Sequence, residues 1–178
     1  MDWLVGAPRR ALALIAAISV ALLVFGLYLQ HVVGLEPCPM CIVQRYALIG
    51  VAIVAALTAL ARRPAAWIAG STLAGVLAVF GAFVAARQSW LQWYPPEVVS
   101  CGRDFYGMIA TFPLQRAIPM IFRGSGDCAA VDWTFLGGSI ANWSFLWFVA
   151  IAGVLAALVW RQARQGRTTG SPAAASQA

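Results

Sequence analysis

The residues best suited to chemistry are Cys38 and Cys41, a Cys-x-x-Cys pair at the point where a polar loop becomes a long apolar run. Two cysteines at this spacing can close a small disulfide ring and open it again, which suits redox exchange better than structural cross-linking. If Pro37 to Cys41 begin a helix, its unpaired N–H groups and positive dipole end would favour a thiolate there. Arg45 follows at i+4 from Cys41 and would bring a fixed positive charge to the same face. The pattern predicts a reactive thiol pair at a membrane surface.

The rest of the chain is too apolar for a water-soluble protein. Of its 178 residues, 62% are hydrophobic and 10% are charged, and the mean hydropathy is +0.80. Soluble domains are about 45–50% apolar and about 25% charged. All 12 basic residues are arginines, and they cluster at the ends of apolar runs and not on one polar face, so the net charge of +6 does not indicate a nucleic-acid partner. The composition predicts an integral membrane protein whose surroundings are the lipid bilayer.

Four apolar runs are long enough to cross a bilayer, which takes about 20 residues. They cover about residues 11–29, 42–61, 65–86 and 142–160. We therefore predict an all-α membrane protein, with one four-helix transmembrane domain at 1–162 and a disordered cytoplasmic tail at 163–178. The first run is longer than a signal-peptide core and is followed by no small-x-small cleavage site, so we expect it to be a retained helix.

The arginines predict the orientation of the four helices. Those near the N-terminus, in the turn Arg62-Arg63-Pro64 and in the tail all fall on one side of the membrane. The short loop, about residues 30–41, contains none, and the long loop, about residues 87–141, contains few. By the positive-inside rule, both loops are predicted to face outward and both termini the cytoplasm.

The long loop is unusually apolar at residues 105–122, and Pro113 and Pro119 forbid one long helix there. We predict a short segment that lies in the membrane interface. The alternative is that these side chains pack onto the outer ends of the helices.

All four cysteines, Cys38, Cys41, Cys101 and Cys128, fall on the predicted outer side, where disulfides are tolerated. Four cysteines allow three pairings, and Cys38–Cys41 with Cys101–Cys128 is the most natural because the first is local and the second closes one loop. A shared zinc site is a weaker alternative, since Cys101 and Cys128 are far apart without a nearby histidine. Two inert disulfides are also weaker, because so small a ring adds little loop-closure stabilisation.

Electrons from Cys38 and Cys41 have no thiol relay across the bilayer, because no cysteine lies within an apolar run or on the cytoplasmic side. The chain has no glycine-rich dinucleotide motif and no haem-attachment motif, and its only histidine, His31, argues against a bis-histidine haem. A lipid-soluble two-electron acceptor such as a quinone fits what remains. Arg45 would then donate to a quinone oxygen, or alternatively extend to the lipid headgroups.

These segments resemble the disulfide bond formation protein B (DsbB) family. Pro-Cys-Pro-Met-Cys-Ile-Val-Gln-Arg-Tyr, at residues 37–46, is similar to the family signature at the second helix. Three further segments resemble its second outer loop together with Cys101, namely Leu91-Gln92-x-Tyr94-Pro95, Gly124-Ser125-Gly126-Asp127-Cys128 and Asp132-Trp133-x-Phe135-Leu136-Gly137. The resemblance runs from about Ala11 to Trp160. The chain departs from it at Gln88, where some members have a histidine.

The resemblance implies a multi-pass enzyme of the bacterial inner membrane that reoxidises the periplasmic dithiol oxidase DsbA and passes the electrons to ubiquinone or menaquinone. It implies that reduced DsbA attacks a Cys101–Cys128 disulfide and forms a mixed disulfide with Cys101. Cys128 would then exchange with Cys38, which leaves Cys41 as the thiolate that contacts the quinone, assisted by Arg45.

Two other function classes stay open at this stage. A vitamin K epoxide reductase-like enzyme also uses a membrane-edge Cys-x-x-Cys, but it would place the motif near its last helix and not before its second. A non-enzymatic scaffold with a disulfide-linked loop would not need Cys38 and Cys41 beside a charged membrane residue. Replacing both cysteines with serine separates the classes, since a scaffold should keep its function.

Overall fold

The computed structural model describes residues 8–95, 119, 126–129, 131 and 133–169. Its helices are α1 (Pro8–His31), α2 (Pro39–Leu60), α3 (Pro64–Trp93), the short α4 (Gly126–Ala129) and α5 (Ile140–Thr169). Strands β1 (Thr134–Phe135) and β2 (Gly138–Ser139) form an antiparallel hairpin before α5. Within these residues, 4 helices are long and apolar enough to cross a membrane. The predicted four-helix membrane fold is confirmed.

Prolines mark the start of the second and third long helices. Pro39 and Pro64 occupy the first helical turn, where the N–H that proline lacks has no partner within the helix. Between the two helices the chain turns through Ala61 to Arg63, with the backbone N–H of Ala61 bonded to the carbonyl of Thr58. This places the predicted Arg62-Arg63-Pro64 turn between α2 and α3.

Helix α3 is longer than its apolar run indicated. The run ends near Ala86, but the helix continues to Trp93. Its extra turns bury Gln88 and Leu91, and Leu91 packs with residues at the start of α2. Hydropathy detects the part of a helix that can lie in lipid, so it misses turns that are covered by protein instead.

Helix α5 also continues beyond its apolar run, from Trp160 to Thr169. It therefore enters the segment 163–178, which was expected to be a disordered tail. The guanidinium of Arg164 lies 4.6 Å from the centre of the Trp160 ring. Such an i,i+4 pair supports helix at a polar end, which an apolar pattern does not reveal.

The long helices pack mainly as consecutive neighbours, α1 on α2, α2 on α3 and α3 on α5. Alanine recurs at their central contacts among larger apolar side chains, and such small residues let membrane helices approach closely. The main core cluster consists of Ala11, Leu12, Ile15, Ala47, Val51, Ala55, Ala74, Ala78, Ala82, Phe148, Ile151, Leu155 and Leu158. A Cβ at Gly81 would lie 2.4 Å from the Phe148 ring, so glycine is needed where α3 meets α5. Large apolar side chains on the outer faces remain exposed, as lipid contact requires, among them Val24, Leu57, Val76 and Leu146.

The hairpin before α5 was not anticipated from the sequence. Its two turn residues, Leu136 and Gly137, have φ of 50° and 79°, values that the tight turns of two-residue hairpins require. Ser139 ends the hairpin and caps α5, because its Oγ accepts the backbone N–H of Asn142. The predicted interfacial segment at 105–122 lies outside the described residues, apart from Pro119.

Candidate active site

The Cys-x-x-Cys pair forms the first turn of α2. Cys38 is the N-cap residue, and its Sγ accepts the backbone N–H of Cys41 at 3.3 Å. Pro39 between them takes the first helical position. The two sulfur atoms lie 2.8 Å apart. The predicted helix start is confirmed, and it places both sulfurs at the positive end of the helix dipole.

A third cysteine reaches this pair from the long loop. Cys128, on α4, is fully buried in a small cluster with Cys38, Met40, Val84 and Leu91. Hydrogen bonds to Cys128 and then to Cys41, followed by burial, raise the pKa of Cys38 above its ordinary value. Cys38 is therefore held as a neutral thiol. The fourth cysteine, Cys101, lies outside the described residues.

Gln88, which sequence reasoning noted only as a departure from the family pattern, lies directly against the sulfurs. Its Nε2 donates to Cys41 Sγ at 3.2 Å and to Cys38 Sγ at 3.3 Å. Gln44 Nε2 in turn donates to Gln88 Oε1 at 2.6 Å. The two glutamines are only 4% (Gln88) and 6% (Gln44) exposed. An amide side chain inside a membrane bundle needs hydrogen-bond partners. Two glutamines at the ends of apolar runs were therefore the signal available in the sequence.

Arg45 is directed toward α1. Its Nη1 donates to Gln30 Oε1, and its Nη2 donates to the carbonyl of Gly26 at 3.0 Å. The guanidinium is thus anchored inside the bundle and half-buried. Arg45 was expected beside the sulfur of Cys41, but these two hydrogen bonds join it to α1. The donor to the Cys41 sulfur is Gln88. Arg45 and Cys41 do line the same cavity.

This cavity has a volume of about 660 Å³ and lies between the ends of the helices that carry the site. Its polar lining includes Cys41, Arg45 and Gln88. Most of its lining is apolar and includes Leu22, Leu29, Leu48 and Trp147. A concave, mostly apolar cavity with a few convergent polar groups is typical of a small-molecule site.

Aromatic rings border the cavity on the side of the hairpin. The ring of Trp133 meets Phe25 of α1 edge-on at 6.1 Å and stacks on Phe135 at 6.0 Å. Phe135 in turn contacts Trp143 of α5 at 6.1 Å, and Trp143 Nε1 donates to the Phe135 carbonyl. The hairpin thus connects α1 to α5, although the two helices are far apart in sequence.

A four-helix membrane bundle with sulfur atoms gathered beside a largely apolar cavity fits the class of membrane thiol oxidoreductases. The family model described as "Disulfide bond formation protein DsbB" matches residues 8–158. The chain belongs to the DsbB family, as its motifs predicted.

Individual relatives agree over most of their length, and each is named "Disulfide bond formation protein B". The relative from Polaromonas naphthalenivorans (strain CJ2) is 73% identical over 162 residues, which cover 91% of this chain and 97% of that protein. The relative from Acidovorax sp. (strain JS42) is 68% identical over 164 residues, 92% of this chain and 94% of that protein. The one from Azoarcus sp. (strain BH72) is 53% identical over 147 residues, 81% of this chain and 88% of that protein. Family membership favours the oxidoreductase over the two alternative classes.

Proposed function

We propose that the protein reoxidises a periplasmic DsbA-type dithiol oxidase and passes the electrons to a membrane quinone. The observation that carries the proposal is a row of sulfurs, in which Cys128 is hydrogen-bonded to Cys38 and the Cys38 sulfur lies 2.8 Å from that of Cys41. Thiol–disulfide exchange requires sulfur atoms that can contact one another in this way. The row ends at a cavity within the membrane bundle, which suits an acceptor that resides in lipid.

The proposed exchange begins at a Cys101–Cys128 disulfide. A thiolate of the reduced partner attacks Cys101, a partner–Cys101 disulfide forms, and Cys128 leaves as a thiolate. The partner's second thiol then displaces Cys101, which releases the partner as a disulfide.

The second exchange moves the electron pair to the membrane edge. The Cys128 thiolate attacks Cys38 in a Cys38–Cys41 disulfide, the Cys128–Cys38 bond forms, and Cys41 leaves as a thiolate. Attack on Cys38 expels Cys41, and because the pKa of the Cys38 thiol is raised, the negative charge of the reduced pair stays on Cys41. When Cys101 then attacks Cys128, the Cys101–Cys128 disulfide re-forms and Cys38 is released as a thiol. Each cycle therefore brings two electrons from the partner to the Cys38–Cys41 pair.

The cavity fits a quinone head group in size and character. At about 660 Å³ with a mostly apolar lining, it lies in the range of roughly 300–1,000 Å³ typical of small-ligand sites. Arg45 would hold a ring oxygen through a charge-assisted hydrogen bond, and Cys41 would be the sulfur that faces the ligand. A quinone, either ubiquinone or menaquinone, supplies an acceptor for two electrons and two protons.

The distribution of arginines supports an inner-membrane orientation with the sulfurs on the periplasmic side. The end of the bundle opposite the sulfurs carries Arg9 and Arg10 of α1, the Arg62-Arg63 turn and the arginines at the end of α5. The short loop before Cys38 carries none. By the positive-inside rule, this distribution favours an orientation with the sulfurs outside the cytoplasm.

Quinone reduction in detergent tests the proposal. The purified protein is mixed with a reduced DsbA-type dithiol and a short-chain ubiquinone or menaquinone, and quinone absorbance is followed. We expect turnover that is lost in Cys41→Ser and in Cys101→Ser and is slowed in Arg45→Ala. Thermal unfolding of each variant serves as the folding control. Absence of turnover with both quinone types, in protein whose four cysteines are intact and oxidised, would rule the proposal out.

A further inference from the structure

The hydrogen bonds from Gln44 to Gln88 and from Gln88 to the sulfurs have no role in the exchange steps above. Both the NH2 and the oxygen of the Gln88 amide lie near Cys41. The Nε2 donates to Cys41 Sγ, and the Oε1 lies 3.7 Å from the same sulfur. A thiolate accepts hydrogen bonds and a thiol can donate one, so the amide matches Cys41 in either protonation state. Unlike an acid or an imidazole, a carboxamide does not itself titrate.

Gln44 determines which half of the Gln88 amide faces the sulfurs. Because Gln44 Nε2 donates to Gln88 Oε1 at 2.6 Å, the oxygen is held on the Gln44 side. The Gln88 Nε2 group then points to Cys41 and Cys38. Both side chains are buried, so leaving either bond unmade would be costly. The two residues come from different helices, α2 and α3, and their spacing in sequence gives no hint of the contact.

We propose that Gln88 is a further catalytic residue, which stabilises negative charge on Cys41 when the Cys38–Cys41 disulfide opens, and that Gln44 is the positioning residue that orients it. The inference deepens the proposed function and rests on it, because Cys41 is the sulfur from which that scheme passes electrons on. When Cys128 attacks Cys38, the bond that breaks leaves its electron pair on Cys41 Sγ. The Gln88 N–H already lies on that sulfur, so no side chain must reorganise as the charge develops. The proton balance of the exchange is unchanged, since Gln88 neither gives nor takes a proton.

The test measures the reactivity of Cys41 without quinone or partner. Cys41 is made the sole cysteine by replacing Cys38, Cys101 and Cys128 with serine in the full chain. Its alkylation rate is then followed in detergent from about pH 5 to pH 10, a range that spans an ordinary thiol titration. Introducing Gln88→Met removes the donor without adding charge, and we expect alkylation near neutral pH to fall roughly tenfold, the loss expected for one hydrogen bond to a charged group.

A double-mutant cycle tests the role of Gln44. Gln44→Met should slow alkylation in the same direction but by less, because the Gln88 amide can still reach the sulfur part of the time. Combining Gln44→Met with Gln88→Met should be no slower than Gln88→Met alone, since an orienting residue has no effect once the donor is gone. Additive effects would overturn the orienting role of Gln44.

Gln92→Met is the matched control. Gln92 lies one turn further along α3 and accepts a hydrogen bond from Ser139 Oγ at 2.6 Å, so this variant loses a glutamine hydrogen bond that is made to a hydroxyl and not to a sulfur. Its Cys41 alkylation profile should match the parent. A profile that is unchanged in Gln88→Met, in protein that unfolds at the parent temperature, would overturn the inference. Suppose that alkylation of Cys41 slows as expected in Gln88→Met, but the four-cysteine protein does not reduce quinone. That result would reject the proposed function and would leave the role of Gln88 at the Cys41 sulfur standing.

Discussion

The two buried clusters of this protein differ in what fills them. Along the middle of the bundle, alanine and leucine side chains pack so closely that glycine is required where α3 meets α5. Around the first turn of α2, the buried groups are the sulfurs of Cys38 and Cys128 with Met40, Val84 and Leu91, and an open cavity lies beside them. At Gly81 the first cluster has no room for another methyl group, while the second leaves space next to reactive atoms.

This difference separates stability from chemistry within one helical bundle. Close packing of small residues holds membrane helices together, because lipid offers little hydrophobic drive for their association. The polar groups of the sulfur cluster need partners instead, and the structure supplies them from α1, α2, α3 and α4. Substitutions in the two clusters should therefore affect different measurements.

The largest contrast is expected between Leu12→Ala and Met40→Ala. Both side chains are fully buried, one in each cluster, and each truncation should lower the free energy of unfolding by about 2–5 kcal/mol. Met40 lies between the two cysteines of the pair, so Met40→Ala should also lower turnover per folded molecule. Leu12→Ala should leave turnover per folded molecule unchanged. Thermal unfolding in detergent and turnover per folded molecule distinguish the two effects. Equal turnover per folded molecule in both variants would contradict the assignment of stability to one cluster and chemistry to the other.

A smaller effect is expected from adding one methyl group between α3 and α5. Gly81→Ala places a Cβ against the Phe148 ring, and overpacking of this kind costs about 1–3 kcal/mol. Gly153→Ala is the control, since a Cβ there meets no atom within 4 Å, and alanine favours helix. The unfolding temperature should fall in the first variant and stay level or rise in the second. The same direction of change in both would show that packing at Phe148 is not the cause.

The smallest effect concerns the titration of Cys38. Its pKa is raised, with the hydrogen bond to Cys128 as the largest cause, so Cys38 of the reduced protein should stay protonated into alkaline solution. Cys128→Ala should move the pH midpoint of Cys38 alkylation down, toward that of an ordinary cysteine. The midpoint, read by peptide mapping after alkylation, is independent of any change in access to the thiol. A midpoint that does not move would show that Cys41 and burial, and not Cys128, hold the proton on Cys38.

The sequence alone determined the parts of this protein that depend on local pattern. Runs of about 20 apolar residues specify membrane helices wherever they occur, and Pro39 after Cys38 specifies where α2 begins. The family motif identified the four cysteines and Arg45 as the residues to examine, and family membership followed from the same segments.

Tertiary structure decided which side chains meet. Gln44 and Gln88 contact each other across 44 positions of sequence, Arg45 reaches back to α1, and Cys128 joins Cys38 from the long loop. Periodicity records the environment of a helix face but not the identity of the residue opposite, because that identity depends on how neighbouring helices are rotated and staggered. For this reason the donor to the Cys41 sulfur was expected to be the arginine one turn away, and in the structure it is a glutamine from another helix.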